Sequence, residues 1–253
     1  MSRPAITLAA RALPDLPEIT AGSDLAALIA GAGIPMDDGD VVVVAQKVVS
    51  KAEGRVVRLE GVRPSARAIE LAQDQRHDPR AVQVVLDESS QVLRAERGVL
   101  ICRTRHGLVC ANAGVDASNA SESGTVILLP HDPDASAREL RARLGALTGR
   151  RPAVVIGDSF GRAWRHGQSD VAIGCAGLAP LQDWRGRLDR QGRALNATWI
   201  AIADQVAGAA DLVRAKDSGE PVVVVSGLDP HITPEDGPGA RSLIRPPEED
   251  LFR

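Results

Sequence analysis

The chain has no tyrosine, only two phenylalanines and three tryptophans, so aromatic side chains make up 2% of its 253 residues. Single-stranded nucleic-acid binding leans on aromatic stacking platforms, and their scarcity argues against that class. Core volume must come from Val, Leu, Ile and Ala. Cysteine is scarce too: Cys102, Cys110 and Cys175 are odd in number and form no Cys-x-x-Cys pair. Cys102 and Cys110 lie in apolar strand patterns and read as small buried hydrophobes. Neither sign of charge dominates, the formal net charge being −3, so bulk charge does not mark a polyanion binder. No apolar run approaches the ~20 residues that span a bilayer, and no charged segment followed by an apolar run opens the chain. The expectation is a cytoplasmic protein with neither membrane nor nucleic acid as partner. Neither Gly-x-x-x-x-Gly-Lys-Ser/Thr nor a Gly-x-Gly-x-x-Gly after a strand occurs, so any nucleotide is held outside those motifs.

What is present is enough for one large domain or two small ones. Residues 6–9 read as a strand, and prolines hold 13–20 as an extended loop. Ser23 is placed to cap a helix carrying Leu25, Leu28 and Ile29, which the 31–35 Gly/Pro stretch ends. Residues 41–44 are four valines in a row, the pattern of a strand buried on both faces. Residues 65–73 predict a helix with Ile69 and Leu71 inward, Asp78-Pro79 a turn, and 82–86 a further periodic segment. Residues 136–147 predict an amphipathic helix with Leu140, Leu144 and Leu147 on its apolar stripe, and 196–213 a long Ala-rich helix. Residues 130–133 read as a linker and a candidate domain boundary, and the tail from Asp229 as an extended arm.

The most informative stretch is 107–119. Apolar runs at 99–102 and 108–110 empty into small residues and then deliver Asp116, with Asn119 three residues on. Small residues admit close backbone approach to a ligand, and a carboxylate at a strand exit suits a hard cation such as Mg²⁺ or Mn²⁺. Forty-two residues after Asp116, a short apolar strand at 152–156 leads to Asp158, Ser159, Gly161 and Arg162. Two such aspartates, a hydroxyl and the arginines at Arg162 and Arg165 are components of metal-assisted phosphoryl chemistry. An aspartate after a strand equally serves as a turn residue or helix N-cap, and on pattern alone both readings stand. Gln46, Lys47, Ser50, Lys51, Glu53 and Arg55 follow the valine strand at once, which puts them at a ligand or in a solvated turn. Glu88 reads as a site residue or, in preference, as facing solvent. The polar loop at 216–221 precedes another four valines and is a candidate phosphate contact.

Several of these segments resemble a known family. Ala-Gln-Lys-Val-Val-Ser-Lys-Ala-Glu-Gly-Arg (45–55), the block at 106–119, Leu-Leu-Pro-His-Asp-Pro-Asp-Ala-Ser-Ala (128–137), Gly-Asp-Ser-Phe-Gly-Arg-Ala-Trp-Arg-His-Gly-Gln (157–168), Ile-Gly-Cys-Ala-Gly (173–177) and the tail at 243–253 are similar to those of coenzyme F420-0:L-glutamate γ-ligases. The likeness runs from about Leu16 to the C-terminus. It implies a mixed α/β fold of that family's own kind, as a single ligase domain over 1–253, within which the linker leaves a two-lobed organisation with a break near 130–135 open. It further implies an intertwined homodimer of the stand-alone form, without the C-terminal flavin domain of actinobacterial relatives. The implied activity is a GTP-dependent ligase requiring Mn²⁺ or Mg²⁺, with K⁺ as a further ion. It would add L-glutamate to the lactyl-phosphate side chain of F420-0, then further glutamates by γ-linkage, in coenzyme F420 biosynthesis.

By the same resemblance, Asp116 and Asp158 would hold the metal together with Ser159, where relatives often carry Thr. Leu16, Pro17, Glu18, Gln46, Lys51, Asn119 and the loop residues Lys216, Asp217, Ser218, Gly219 and Glu220 would meet the nucleotide. Arg162 and Arg165 would clamp substrate phosphate or carboxylate. His106 is a candidate base, with a structural histidine as the alternative. Two departures stand out: Asp15 occupies a position where relatives usually have Gly, and Arg214-Ala215-Lys216 replaces a Met-Gly-Gln/Glu/Lys pattern, so a charged Lys216 cannot ligate a metal. Amide formation from a carboxylate calls for an activated acyl group, and attack on the GTP γ-phosphoryl to give an acyl phosphate is the expected route. Two other classes compete: a metal-dependent phosphohydrolase using the same aspartates, and a non-catalytic GTP-binding module.

Overall fold

The computed structural model describes residues 6–117, 124–215 and 217–250. The chain begins with β1 (Ala9–Ala12), crosses through α1 (Leu25–Gly31) to β2 (Val41–Ala45) and turns directly into α2 (Gln46–Ala52). It then builds a smaller layer from β3 (Val56–Arg58), α3 (Ala66–Gln75), α4 (Pro79–Asp87), β4 (Ser89–Glu96), β5 (Val99–Thr104), β6 (Val109–Ala111) and β7 (Thr125–Ile127). α5 (Pro133–Thr148) brings it back to β8 (Ala153–Arg162) and β9 (Arg165–Ala176). The short β10 (Leu181–Asp183) and β11 (Trp199–Ala201), α6 (Ile202–Asp211) and β12 (Val222–Ser226) complete the regular elements. The result is a mixed α/β protein.

The central sheet has the order β1-β12-β2-β8-β9. Only β2 and β8 run parallel; the other neighbours are antiparallel. The valine runs lie at its centre because a strand covered on both faces has no place for polar side chains. Alternate residues go to opposite cores: Val42, Val44, Val154 and Ile156 join Ile29, Leu140 and Leu144, while Val41, Val43 and Val155 join Ile202, Val206 and Ala210. Each such side chain taken from water contributes about 1.5–3 kcal/mol. The smaller layer packs α3 and α4 on the β4-β5-β6 sheet around Leu71, Val82, Val85, Leu100 and Cys102.

The C-terminal segment is strapped over this framework. Asp134, buried in the first turn of α5, accepts from the backbone N–H groups of Cys175, Ala240 and Arg241. Arg141, 2% exposed, donates to the carbonyls of Pro152, Thr233 and Pro234 and pairs with Asp236 at 2.7 Å. The tail is thus an extended arm interrupted by 3₁₀ turns and pinned by two buried charges.

Several local expectations are corrected. The first strand is Ala9–Ala12, because Ile6 and Leu8 are exposed and the ladder to β12 starts at Ala9. Asp24 caps α1 through Ala27 N–H, while Ser23 Oγ accepts from Thr20 N–H. Gln46, Lys47, Ser50 and Lys51 after the valine strand belong to α2, with Glu53 at its end, and not to a turn between strands. Ile69 and Leu147 point outward, at 41% and 43% exposure, since neighbouring elements cover only the Leu71 and Leu144 sides of their helices. Glu88 pairs with Arg55 at 2.7 Å and does not face open solvent. The strand entering Asp158 continues to Arg162, because β9 pairs with it throughout. The helix expected at 196–213 occupies only Ile202–Asp211, with β11 before it.

Candidate functional site

A cavity of about 330 Å³ opens where the parallel pairing of β2 with β8 ends, a size typical of small-molecule sites. Three segments far apart in sequence line it beside these strand ends. Leu16, Pro17, Glu18 and Ile19 come from the loop after β1, and Asp170 comes from β9. Arg214, Ala215, Gly219, Glu220 and Pro221 come from the loop before β12. α2 contributes Gln46, Lys47 and Lys51, and β8, just past the end of its pairing with β2, contributes Asp158 and Ser159. Antiparallel β12 enters the sheet beside β2, which delivers its preceding loop to the same edge.

The charges here are organised in pairs. Lys47 Nζ lies 2.7 Å from Asp116 Oδ2, and Lys51 Nζ lies 2.6 Å from Glu18 Oε1. The two lysines sit four residues apart, on one face of α2. Ser159 Oγ donates to Asp170 Oδ1 at 2.6 Å, and Arg214 pairs with the other oxygen of Asp170. Asp170 is 1% exposed. Burial pushes the carboxyl of Asp158 up to about 6, opposed by the Ser159 backbone N–H, with Asp170 and Asp116 adding to the rise and Lys47 opposing it. Asp116, Asp158 and Asp170 therefore share one electrostatic neighbourhood. Among the described residues no cluster of three His, Cys, Asp or Glu forms a ready-made metal cage.

Asp116 owes its position to an unusual turn. Asn112, Ala113 and Gly114 all have positive φ, 51°, 53° and 73°. Such a run is costly for a buried alanine, by roughly 1–2 kcal/mol, and it carries the chain from β6 to the bridge between Asp116 and Ile127. Gly114 cannot be larger, since a Cβ there would meet Leu129 at 2.6 Å. Asp15 explains one departure: its φ is 58°, the left-handed region that glycine favours and aspartate tolerates. The backbone expected of a glycine is kept.

Of the residues expected at a nucleotide, Leu16, Pro17, Glu18, Gln46, Lys51, Gly219 and Glu220 line the cavity. Asp217 and Ser218 belong to the same loop without lining it, and Asn119 and Lys216 lie outside the described residues. Of the expected metal ligands, Asp158 and Ser159 line the cavity and Asp116 reaches it through Lys47. Arg162 and Arg165 do not line it; they face each other at the exposed tip of the β8–β9 hairpin, where Arg162 Nη2 donates to the His166 carbonyl at 2.6 Å. His106 does not line it either. Its Nε2 lies 3.1 Å from the His131 carbonyl, and its Nδ1 is buried without a hydrogen bond among the described residues. Cys102 and Cys175 are buried and Cys110 half-buried; burial and the neighbouring Asp158 push the Cys110 thiol up to about 12, so it stays protonated.

Sequence reasoning missed Asp170 altogether, named Arg214 only within a departure from relatives, and gave Lys47 no role of its own. Asp170 lies in a polar stretch, Gln168-Ser169-Asp170, whose only signal is an acidic residue immediately before an apolar strand. That signal matches the one that marked Asp116 and Asp158, read from the opposite strand direction.

Lysines, carboxylates and a hydroxyl converging on one cavity define a small-molecule enzyme. The comparisons narrow it. Residues 15–227 match the family model described as F420-0:Gamma-glutamyl ligase. The chain is 45% identical, over 98% of both chains, to the coenzyme F420:L-glutamate ligase of Methanopyrus kandleri. It is 43% identical to that of Methanothermobacter thermautotrophicus, over 94% of this chain and 96% of the relative. The ligase of the same name from Methanocaldococcus jannaschii is 43% identical over 87% of this chain and 86% of its own. The chain belongs to the F420-0:gamma-glutamyl ligase family and is a ligase. Among the described residues, no helix is long and apolar enough to cross a membrane.

Proposed function

We propose that this enzyme joins L-glutamate to coenzyme F420-0 with GTP as energy source, and then extends the product by γ-linked glutamates. The carrying observation is identity of 43–45% to ligases of that printed name, sustained over 94% or more of each chain. The cavity supports it by its chemistry. A free carboxylate does not react with an amine, so the F420-0 carboxylate first attacks the γ-phosphorus of GTP and releases GDP. The glutamate amine then attacks the acyl carbon, forming the amide, losing a proton and expelling phosphate. Lys47 and Lys51 supply positive charge for the phosphates, and Glu18 and Asp116 hold the two ammonium groups in place.

The donor set fits a hard divalent cation. Asp116, Asp158 and Ser159 offer only oxygen ligands, and Asp158 sits among like charges that a cation would relieve. Those three residues would hold Mn²⁺ or Mg²⁺, which would offset the negative charge on the transferring phosphoryl group.

The test uses purified protein with GTP, Mn²⁺ and L-glutamate, with and without F420-0, followed by GDP release and the acceptor mass. Stepwise gain of glutamyl mass that needs every component is expected. GDP release indifferent to glutamate and acceptor would instead assign a phosphohydrolase, and GTP binding without turnover a binding module. The same reading carries a homodimer, expected in sedimentation velocity as a species of twice the chain mass.

A further inference from the structure

Ser159 and Asp170 are register partners on β8 and β9. The serine hydroxyl donates to Asp170 Oδ1 at 2.6 Å, while Arg214 holds Oδ2. The pair is shut away from water, with the Asp170 side chain at 0% and the Arg214 side chain at 8% exposure. A hydroxyl carries one proton and two lone pairs. With that proton committed to a buried carboxylate, Ser159 presents oxygen lone pairs to the rest of its surroundings. The guanidinium holds Oδ2 and stops the carboxylate from turning. This is the polarity that a cation ligand requires, enforced from behind the ligand. Arg214 also donates to the Pro221 carbonyl at 3.4 Å within its own loop, while its pair with Asp170 ties that loop to β9, the neighbour of the strand bearing Asp158 and Ser159.

We propose that Asp170, locked by Arg214, is a positioning residue that fixes the Ser159 hydroxyl as an oxygen donor to the divalent cation. The inference rests on the reading of Asp116, Asp158 and Ser159 as cation ligands. Asp170→Asn tests the polarity directly. Arg214 demands an acceptor, so the amide oxygen turns to the guanidinium and the amide nitrogen faces Ser159. That nitrogen donates to the serine oxygen and drives the hydroxyl proton toward the cation.

The measurement is the dissociation constant for Mn²⁺ alone, from the EPR signal of free Mn²⁺ over the purified full chain. Asp170→Asn is expected to raise it about tenfold or more. In a Ser159→Ala background the same change is expected to move it less than about twofold, because no hydroxyl remains to be oriented. Asp170→Asn/Arg214→Met removes both buried charges and lets the amide oxygen return to Ser159. This variant keeps the test open should the single substitution not fold, and binding within about twofold of wild type is expected. Equal Mn²⁺ affinity in wild type and Asp170→Asn overturns the inference alone. So does an equal loss with and without Ser159, or a failure of the double variant to recover. A wild-type chain that takes up no Mn²⁺ overturns the cation reading and this inference with it.

Discussion

Asp158→Asn is expected to make the metal-free protein more stable while ending its turnover. The native carboxyl titrates at about 6, mainly through burial, against an ordinary value of 3.8. Two units of difference correspond to about 3 kcal/mol, a ceiling because the group borders an open cavity; about 1–3 kcal/mol is the working range. The sign follows from the direction of the shift. The folded protein holds this proton more tightly than the unfolded chain does. Ionisation therefore costs nothing below pH ~3.8, costs progressively more up to pH ~6, and costs its full amount above that. An asparagine keeps the shape and escapes the cost. Thermal unfolding in EDTA at pH 7.5 should place the variant about 3–9 °C above wild type, the gap closing as pH falls toward 4. A variant no more stable at pH 7.5, or a gap indifferent to pH, would refute the reasoning. Saturating Mn²⁺ should raise the wild type and leave the variant nearly unmoved.

Three further outcomes are expected. Asp116→Asn should retain its circular dichroism spectrum yet lose about 10²-fold or more in kcat, because it alters a proposed cation ligand and breaks the ion pair with Lys47; full activity would remove Asp116 from the site. Arg141→Ala should cost about 3–5 kcal/mol in urea unfolding, since it takes the guanidinium from three carbonyls and leaves Asp236 with Arg151 alone. The same variant should admit protease to the strap over 229–250. Gly174→Ala should destabilise by about 1–3 kcal/mol, because a Cβ there collides with the Pro133 backbone where α5 meets β9; an unchanged melting temperature would contradict that packing.

Much of this could be read along the chain. The two valine runs announced the central strands, since four β-branched residues in a row have no solvent face. Ser65 begins the helix expected there, and Asp78-Pro79, expected as a turn, starts another. Residues 16–18, 46, 51, 158–159 and 219–220, gathered by family resemblance, do converge on one cavity. Side-chain direction was less legible. Ile69 and Leu147 fit their apolar stripes by sequence spacing, but which neighbour covers a helix is not written in the helix. Extended β8 was hidden for the same reason, because Asp158 and the residues after it are held as strand by a partner strand that comes later.

The sequence by itself determined the strand cores, the helix that starts after Ser65, the small residues that let the turn before Asp116 form, and the family. Each of these rests on contacts within a few residues or on a pattern shared with relatives. The tertiary structure alone decided that Asp170 stands behind Ser159 and that Arg214, 44 residues further on, locks it. It also decided that Lys47 answers Asp116 and that Arg162 and Arg165 sit away from the cavity. Those facts depend on strand order and register, which are set by burying two valine faces at once and leave no trace in the local spacing of the charged residues they bring together.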